Sequence, residues 1–246
     1  MTTLVVIPVY NHGEAVQAVV AQVVALGRPC LLVDDGSEAC CAQILQTLAQ
    51  AHPDSVSALR QDPNQGKGAA MIAGFREAAR LGYSHVLQID ADGQHEVADI
   101  PSFLALSQAQ PEAVICGVPQ YDQSVPRARL YGRYATHVWV WINTLSLQIR
   151  DAMCGFRVYP LPATLAVIDS ERVGTRMDFD VEILVRLYWR GVAVVNTPTP
   201  VRYPVDGVSH FRMWADNLAI SRMHARLFFG MLKRWPQWLL RRWTGR

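Results

Sequence analysis

The chain has 246 residues, 50% of them hydrophobic and 18% charged, which is long enough for one large domain with a substantial core and excludes a disordered or collagen-like polymer. Its net charge of +2 is unevenly placed: residues 212–246 carry eight Lys/Arg and one acid, and the remainder carries 15 basic and 20 acidic residues. The body is therefore acidic and the tail suits an anionic surface, lipid or nucleic acid. Five cysteines, at 30, 40, 41, 116 and 154, form no CxxC pair; neither a disulfide framework nor a zinc site is indicated, and a reducing cytosol is the expected compartment.

The opening "MTTLVVIPVYN" runs into a strand at 4–9 without the basic region and long apolar core of a signal peptide. Further strands are expected at 30–33, 56–59, 85–89 and 113–116, alternating with helices at 13–26, 38–51, 67–81 and 97–109. That alternation predicts an α/β fold, a mainly parallel sheet sandwiched by helices. Ligands of such sheets bind beyond the carboxyl ends of the strands. Here those ends read "PVYN", "DDGS", "NQGKG" and "DADGQ". Any one suits an ordinary turn; four together predict one polar crevice.

The fourth end is the most specific. An apolar run stops at Asp90, and Asp92 follows on the same side of an extended chain. Two carboxylates so close raise each other's pKa unless a cation joins them, and a hard divalent ion such as Mg²⁺ or Mn²⁺ is the usual remedy.

Residues 118–160 break the alternation: arginines at 127, 129 and 133 precede an apolar, Trp-containing segment of about a dozen residues, too short to span a bilayer. It reads as a core helix or as a membrane-facing or acceptor-lining one. The final 35 residues read as an amphipathic helix, interrupted at Pro236, with Arg and Lys among Trp and Phe. This pattern fits a peripheral membrane contact, or a helix docked on the body; a nucleic-acid role is disfavoured because the basic residues interleave with apolar ones.

With "VVIPVYN", "VDDGS", "NQGKGAA", "DADGQH", "DAMCGFR", "MDFDVEIL" and "VRYPVDGVSHFR" in this order, the chain resembles glycosyltransferase family 2, and within it the dolichyl-phosphate mannose synthase and polyprenyl-phosphate sugar transferase branch. The likeness covers about residues 4–212. It implies a GT-A domain over 1–211, with a nucleotide-sugar half at about 1–117 and an acceptor half at about 118–211, followed by a tail at 212–246. The implied activity is inverting, metal-dependent transfer from a UDP- or GDP-sugar to a lipid-linked acceptor at the cytoplasmic membrane face. Carried over by position, Pro8, Tyr10 and Asn11 would border the nucleotide, and Asp34 or Asp35 would bind its base or ribose. Gly66, Lys67, Gly68 and Ala91 would lie beside it, and Asp90, Asp92 and Gln94 would form the metal and diphosphate site. Elementary chemistry agrees, since a leaving diphosphate needs its charge neutralised and Lys67 adds a point charge on a Gly-flanked backbone.

The chain also departs from the family pattern. His12 stands where an acid is usual, "CGFR" replaces "SGFR", "SH" replaces "SK", and "CGVPQY" lacks the usual Arg. Acceptor phosphate contacts would then fall to Arg127, Arg129 or Arg133, with Arg202, Ser209 and His210 closing from a late loop. Asp151 is the first candidate for a general base or an acceptor-orienting group, Asp178 and Asp180 the second. A plain ion pair of Asp151 with Arg150 or Arg157 is the alternative. A phosphate acceptor needs no base, whereas a hydroxyl on a lipid or carrier-bound acyl chain does. A nucleotidyltransferase or a non-catalytic membrane-associated subunit are the rival classes.

Overall fold

The computed structural model describes residues 1–121, 127–202 and 212–244, with 127–129 and 236–244 given by backbone alone. Seven strands form one sheet in the order β3-β2-β1-β4-β6-β5-β7. The strands are β1 Thr3–Val9, β2 Cys30–Asp35, β3 Val56–Gln61, β4 His85–Gln88, β5 Val114–Tyr121, β6 Arg157–Pro160 and β7 Val194–Val201. The helices are α1 Gly13–Ala25, α2 Ala39–Ala51, α3 Lys67–Arg80, α4 Ile100–Ala109, α5 Arg127–Thr144, α6 Leu161–Ser170, α7 Phe179–Trp189 and α8 Met213–Thr244.

The core explains why the central strands are apolar throughout. Leu4 and Val6 of β1 pack on the layer of α3, α6, α7 and α8, while Val5 and Ile7 pack on the opposite layer of α1, α2 and α4. A strand covered on both faces has no polar side to show. Parallel pairing of β1 with β2 and β4, and of β2 with β3, sends all four chain ends to one edge. The expected α/β sandwich is therefore present, as are the five expected strands.

Four elements were not expected. β6 is only four residues long and runs antiparallel between β4 and β5, pairing Gln88 with Arg157 and Ile115 with Val158. A short strand with a fully buried Arg157 at its start carries no apolar alternation to read. β7, "VVNTPTPV", pairs with β5 in parallel over eight registered positions despite Pro198 and Pro200. Prolines are tolerated there because β7 is an edge strand. Helices α6 and α7 were likewise unassigned.

The interruption expected at Pro236 does not occur: α8 continues to Thr244. A proline removes one backbone hydrogen bond and tends to bend a helix, and it need not end one. The middle turns of α8 are docked rather than free. Met223 and Leu227 are fully buried, Asn143 of α5 meets His224 at 3.3 Å, and the Arg234 guanidinium lies 4.6 Å from the Trp189 ring centre. If this docking is integral to the domain, Leu227→Ala should lower stability by about 2–5 kcal/mol, the cost of truncating a buried leucine. Denaturant unfolding would measure it, with one transition for the whole chain.

Candidate active site

The carboxyl edge of the sheet collects the polar strand ends, and each is tied to the next. Asn11, at φ 54° just past β1, donates its backbone N–H to the Ser37 hydroxyl at 3.0 Å and accepts the Glu38 N–H on its side-chain oxygen at 2.8 Å. Asp34 accepts the Ser37 N–H at 2.8 Å and pairs with Arg60. Asp35 accepts the N–H groups of Gln65 and Gly66 at 2.8 Å each and the Asn64 side chain at 2.9 Å. Both aspartates are thus engaged in shaping loops, Asp35 in holding the "NQGKG" turn. Pro8 is buried in β1, and Tyr10 is half-buried beyond its end.

The centre of the edge is a cation between carboxylates. The Lys67 ammonium sits 2.8 Å from Asp90 Oδ1 and 2.8 Å from Asp180 Oδ2. Burial opposes its charge, but Asp180 and Asp90 outweigh burial and hold the ammonium protonated well above its ordinary value. Burial likewise pushes Asp90 up, and Lys67 with His95 reverses this to hold it well below the carboxylate range. Asp180 is aimed from behind: Gln88 donates to its Oδ1 at 3.0 Å and Arg157 to its backbone carbonyl at 2.6 Å. Gly155 lies directly under Asp90, where a Cβ would fall 2.1 Å from Oδ2.

Asp92 has too little of such help. Burial, and then the neighbouring Asp90 charge, push its carboxyl up, and His95, the Gln94 N–H at 3.1 Å and Lys67 relieve this only in part. Among the described residues no group of three His, Cys, Asp or Glu could hold a metal unaided. The donor set nevertheless fits Mg²⁺ or Mn²⁺ completed by ligand phosphates: a carboxylate short of a cation, beside a side-chain amide oxygen. Ala91 directs its methyl into the core, buried with Val97 and Phe103.

Asp90, Asp92 and Gln94 line an open cleft of about 120 Å³ together with Tyr121, Arg133 and Gly155. Arg133 grips Asp151 through two parallel bonds, Nε to Oδ2 at 2.5 Å and Nη2 to Oδ1 at 2.6 Å, and lies 5.6 Å from the Tyr121 ring centre. The N–H groups of Met153 and Cys154 add bonds of 2.8 Å to Asp151 Oδ1, and His137 Nε2 lies 3.3 Å from Oδ2. Burial would raise Asp151, yet His137 and Arg133 hold it well below the usual carboxylate range.

Of the two expectations for Asp151, a general base or an acceptor-orienting group, this geometry suits the second better. A carboxylate kept ionised, with its lone pairs taken by a bidentate arginine and two amides, is a poor proton acceptor. Its ion pair is with Arg133, in the preceding helix, and not with Arg150, which is exposed, or with Arg157, which donates to Tyr159 and the Asp180 carbonyl. Asp178 and Asp180 are no better as bases, since one pairs with Arg226 at 3.8 Å and the other with Lys67.

Arg202 lies at the cleft rim, its backbone N–H donating to the Gln94 carbonyl at 3.1 Å. Arg127 and Arg129 fall on the first turn of α5, placed by backbone only, and Ser209 and His210 lie outside the described residues. Sequence reasoning did not find His95, Gly155 or the role of Asp180 under Lys67. His95 follows "DADGQ" directly and was the most visible of the three.

The profile of the family described as "Glycosyl transferase family 2" matches residues 4–169. The chain belongs to this family. It is 30% identical over 226 residues to a polyprenol monophosphomannose synthase of Mycolicibacterium smegmatis, covering 84% of this chain and 80% of that one. It is 27% identical over 214 residues to an undecaprenyl-phosphate mannosyltransferase of Micrococcus luteus, covering 80% and 82%. Among solved structures, glucosyl-3-phosphoglycerate synthase from Mycobacterium tuberculosis in complex with Mn²⁺ and UDP-glucose superposes with TM-score 0.65 at 16% identity, over 95% of this chain and 78% of that one. This last likeness establishes the GT-A-like fold. The protein is thus a family 2 glycosyltransferase.

Because Asp151 is depressed in the folded state, its stabilisation is present above the unfolded carboxylate value near 4 and is lost as pH falls below it. Asp151→Asn should therefore cost about 3 kcal/mol at pH 7, by leaving Arg133 buried without its partner. The gap between the two proteins should close on acidification below pH about 4, as measured by urea unfolding across pH.

Proposed function

We propose that this glycosyltransferase moves a hexose-like sugar from a UDP- or GDP-sugar to polyprenyl phosphate, with inversion, at the cytoplasmic face of a membrane. The observation that carries the reading is the shared cleft: the Asp90–Asp92–Gln94 edge faces Arg133, so a diphosphate donor and an anionic acceptor meet across one opening. The names of the M. smegmatis and M. luteus relatives support a polyprenyl phosphate acceptor.

Each residue has a part that follows from its chemistry. Asp92 and Gln94 would hold Mg²⁺ or Mn²⁺, which when bound neutralises charge on the departing diphosphate. Lys67 contributes a fixed positive charge at the head of α3, the positive end of the helix dipole. Arg133 occupies its Nε and Nη2 donors on Asp151 and has further donors on Nη1 for an acceptor phosphate. Asp151 then orients the arginine. A phosphate oxygen attacks the anomeric carbon as an anion already, and the pinned Asp151 is compatible with that nucleophile and poorly suited to deprotonating a hydroxyl.

The exposed faces of α5 and α8 support membrane placement. Tyr131, Tyr134, Val138 and Ile142 are exposed along one side of α5, and Trp214, Leu218, Phe229 and Leu232 along α8. Arg222 and Lys233 are exposed among the latter. No described helix is long and apolar enough to cross a membrane. Aromatic and aliphatic groups among cations suit the headgroup boundary.

Two outcomes are expected. Labelled sugar should appear in a lipid product that mild acid hydrolyses readily, as a glycosyl phosphate does, and its formation should stop with EDTA or in Asp92→Asn; an acid-stable product would mark a hydroxyl acceptor instead. Phe229→Ser combined with Leu232→Ser should weaken sedimentation with anionic vesicles, and salt should weaken that of the wild type. Unchanged sedimentation of the double variant would remove the membrane role from α8.

A further inference from the structure

The head of α3 touches a second loop that the donor reading leaves unused. Residues 174–179 approach Gly66 and Gly68 so closely that a Cβ on Gly66 would fall 2.5 Å from the Thr175 carbonyl oxygen, and one on Gly68 2.5 Å from Phe179 Cβ. Ala69 donates its N–H to that same Thr175 oxygen at 3.0 Å, and Arg176 reaches the Asn64 side chain at 3.4 Å. Contact between backbones leaves no slack, so the position of this loop dictates that of the "NQGKG" turn carrying Lys67.

Two carboxylates hold the loop from the other side. Glu182 Oε2 accepts the Gly174 N–H at 2.8 Å, and Asp178 Oδ1 accepts the Arg176 N–H at 3.2 Å. Both converge on one residue of α8: Arg226 Nη2 lies 2.8 Å from Glu182 Oε2 and 3.8 Å from Asp178 Oδ2. Neutralising Glu182 does not require Arg226, because Arg186 already donates to Oε1 at 2.6 Å and 3.1 Å. What Arg226 adds is a second charged bond on the particular oxygen that holds Gly174.

We propose that Arg226 is a positioning residue for the donor site: through Glu182 Oε2 and residues 174–176, the C-terminal helix sets the Gly66–Lys67–Gly68 turn, so nucleotide affinity depends on how α8 is seated. The inference rests on the donor-site reading given above. Arg234 provides the internal control, since it is also on α8 and stacks on Trp189, while its carboxylate partner, at 3.7 Å, is Glu171 and not Glu182 or residues 174–176.

The test is calorimetric titration of the full chain, without lipid, by UDP and by GDP in the presence of Mn²⁺. Arg226→Gln should raise the Kd of whichever nucleotide the wild type binds by about fivefold, Arg226→Lys should recover most of the loss, and Arg234→Gln should leave the Kd unchanged. A merely structural role would lower the thermal midpoint of both Gln variants without separating their Kd values. Equal affinities for wild type and Arg226→Gln, or equal losses in the Arg226 and Arg234 variants, would overturn the proposal. If the wild type binds neither nucleotide, the donor-site reading itself fails, and the inference with it.

Discussion

The bridge from Lys67 to Asp90 and Asp180 is the interaction on which the site depends. Three carboxylates, Asp90, Asp92 and Asp180, gather where parallel strands end, in surroundings dry enough to penalise each charge. A single ammonium, 2.8 Å from two of them, keeps Asp90 ionised and leaves Asp92 as the place where positive charge is still wanted. The resident lysine thus does part of the neutralisation and leaves the rest undone at Asp92. Much of the local architecture serves that bridge: Gly155 makes room for Asp90, Gly66 and Gly68 let the lysine's loop approach its neighbour, and Gln88 with Arg157 aim Asp180.

How far this could be read from the sequence depended on the range of the contacts. The central strands were legible because both their faces are buried, and an uninterrupted run such as "LVVIPV" has few other uses. The polar edge of the sheet was legible because its residues sit at strand ends and cluster in short motifs. The partners of those residues were not. Asp180 reaches Lys67 across 113 positions of chain, and nothing local marks it. Arg133 lies on a different element from Asp151, so proximity in sequence favoured Arg150, which is exposed. β6 escaped notice for the opposite reason: it is so short, and so dependent on its two neighbours for hydrogen bonds, that it has no pattern of its own.

The helices α5 and α8 show that docking need not use up every apolar side chain of a helix. Met223, Leu227 and Met231 bury one face of α8 against the domain while Leu218, Phe229 and Leu232 remain outside. Trp139 of α5 stacks on His224 at 6.0 Å between ring centres and is still 45% exposed. A helix apolar on two sides reads in sequence as poorly amphipathic, and only the structure separates the face that belongs to the core from the face that does not.

β7 has a consequence for the solubility of the chain. As the outermost strand beside β5, it presents a row of backbone groups to any passing strand, the usual starting point for edge-to-edge aggregation. Pro198 and Pro200, two residues apart, fall on the same side of the strand, and neither has an N–H to offer. A second strand approaching that edge would find acceptors without the matching donors over half the length of β7. The prolines that hid this strand from sequence reasoning therefore also guard it, and replacing them by valine would make the strand easier to recognise and the protein easier to precipitate.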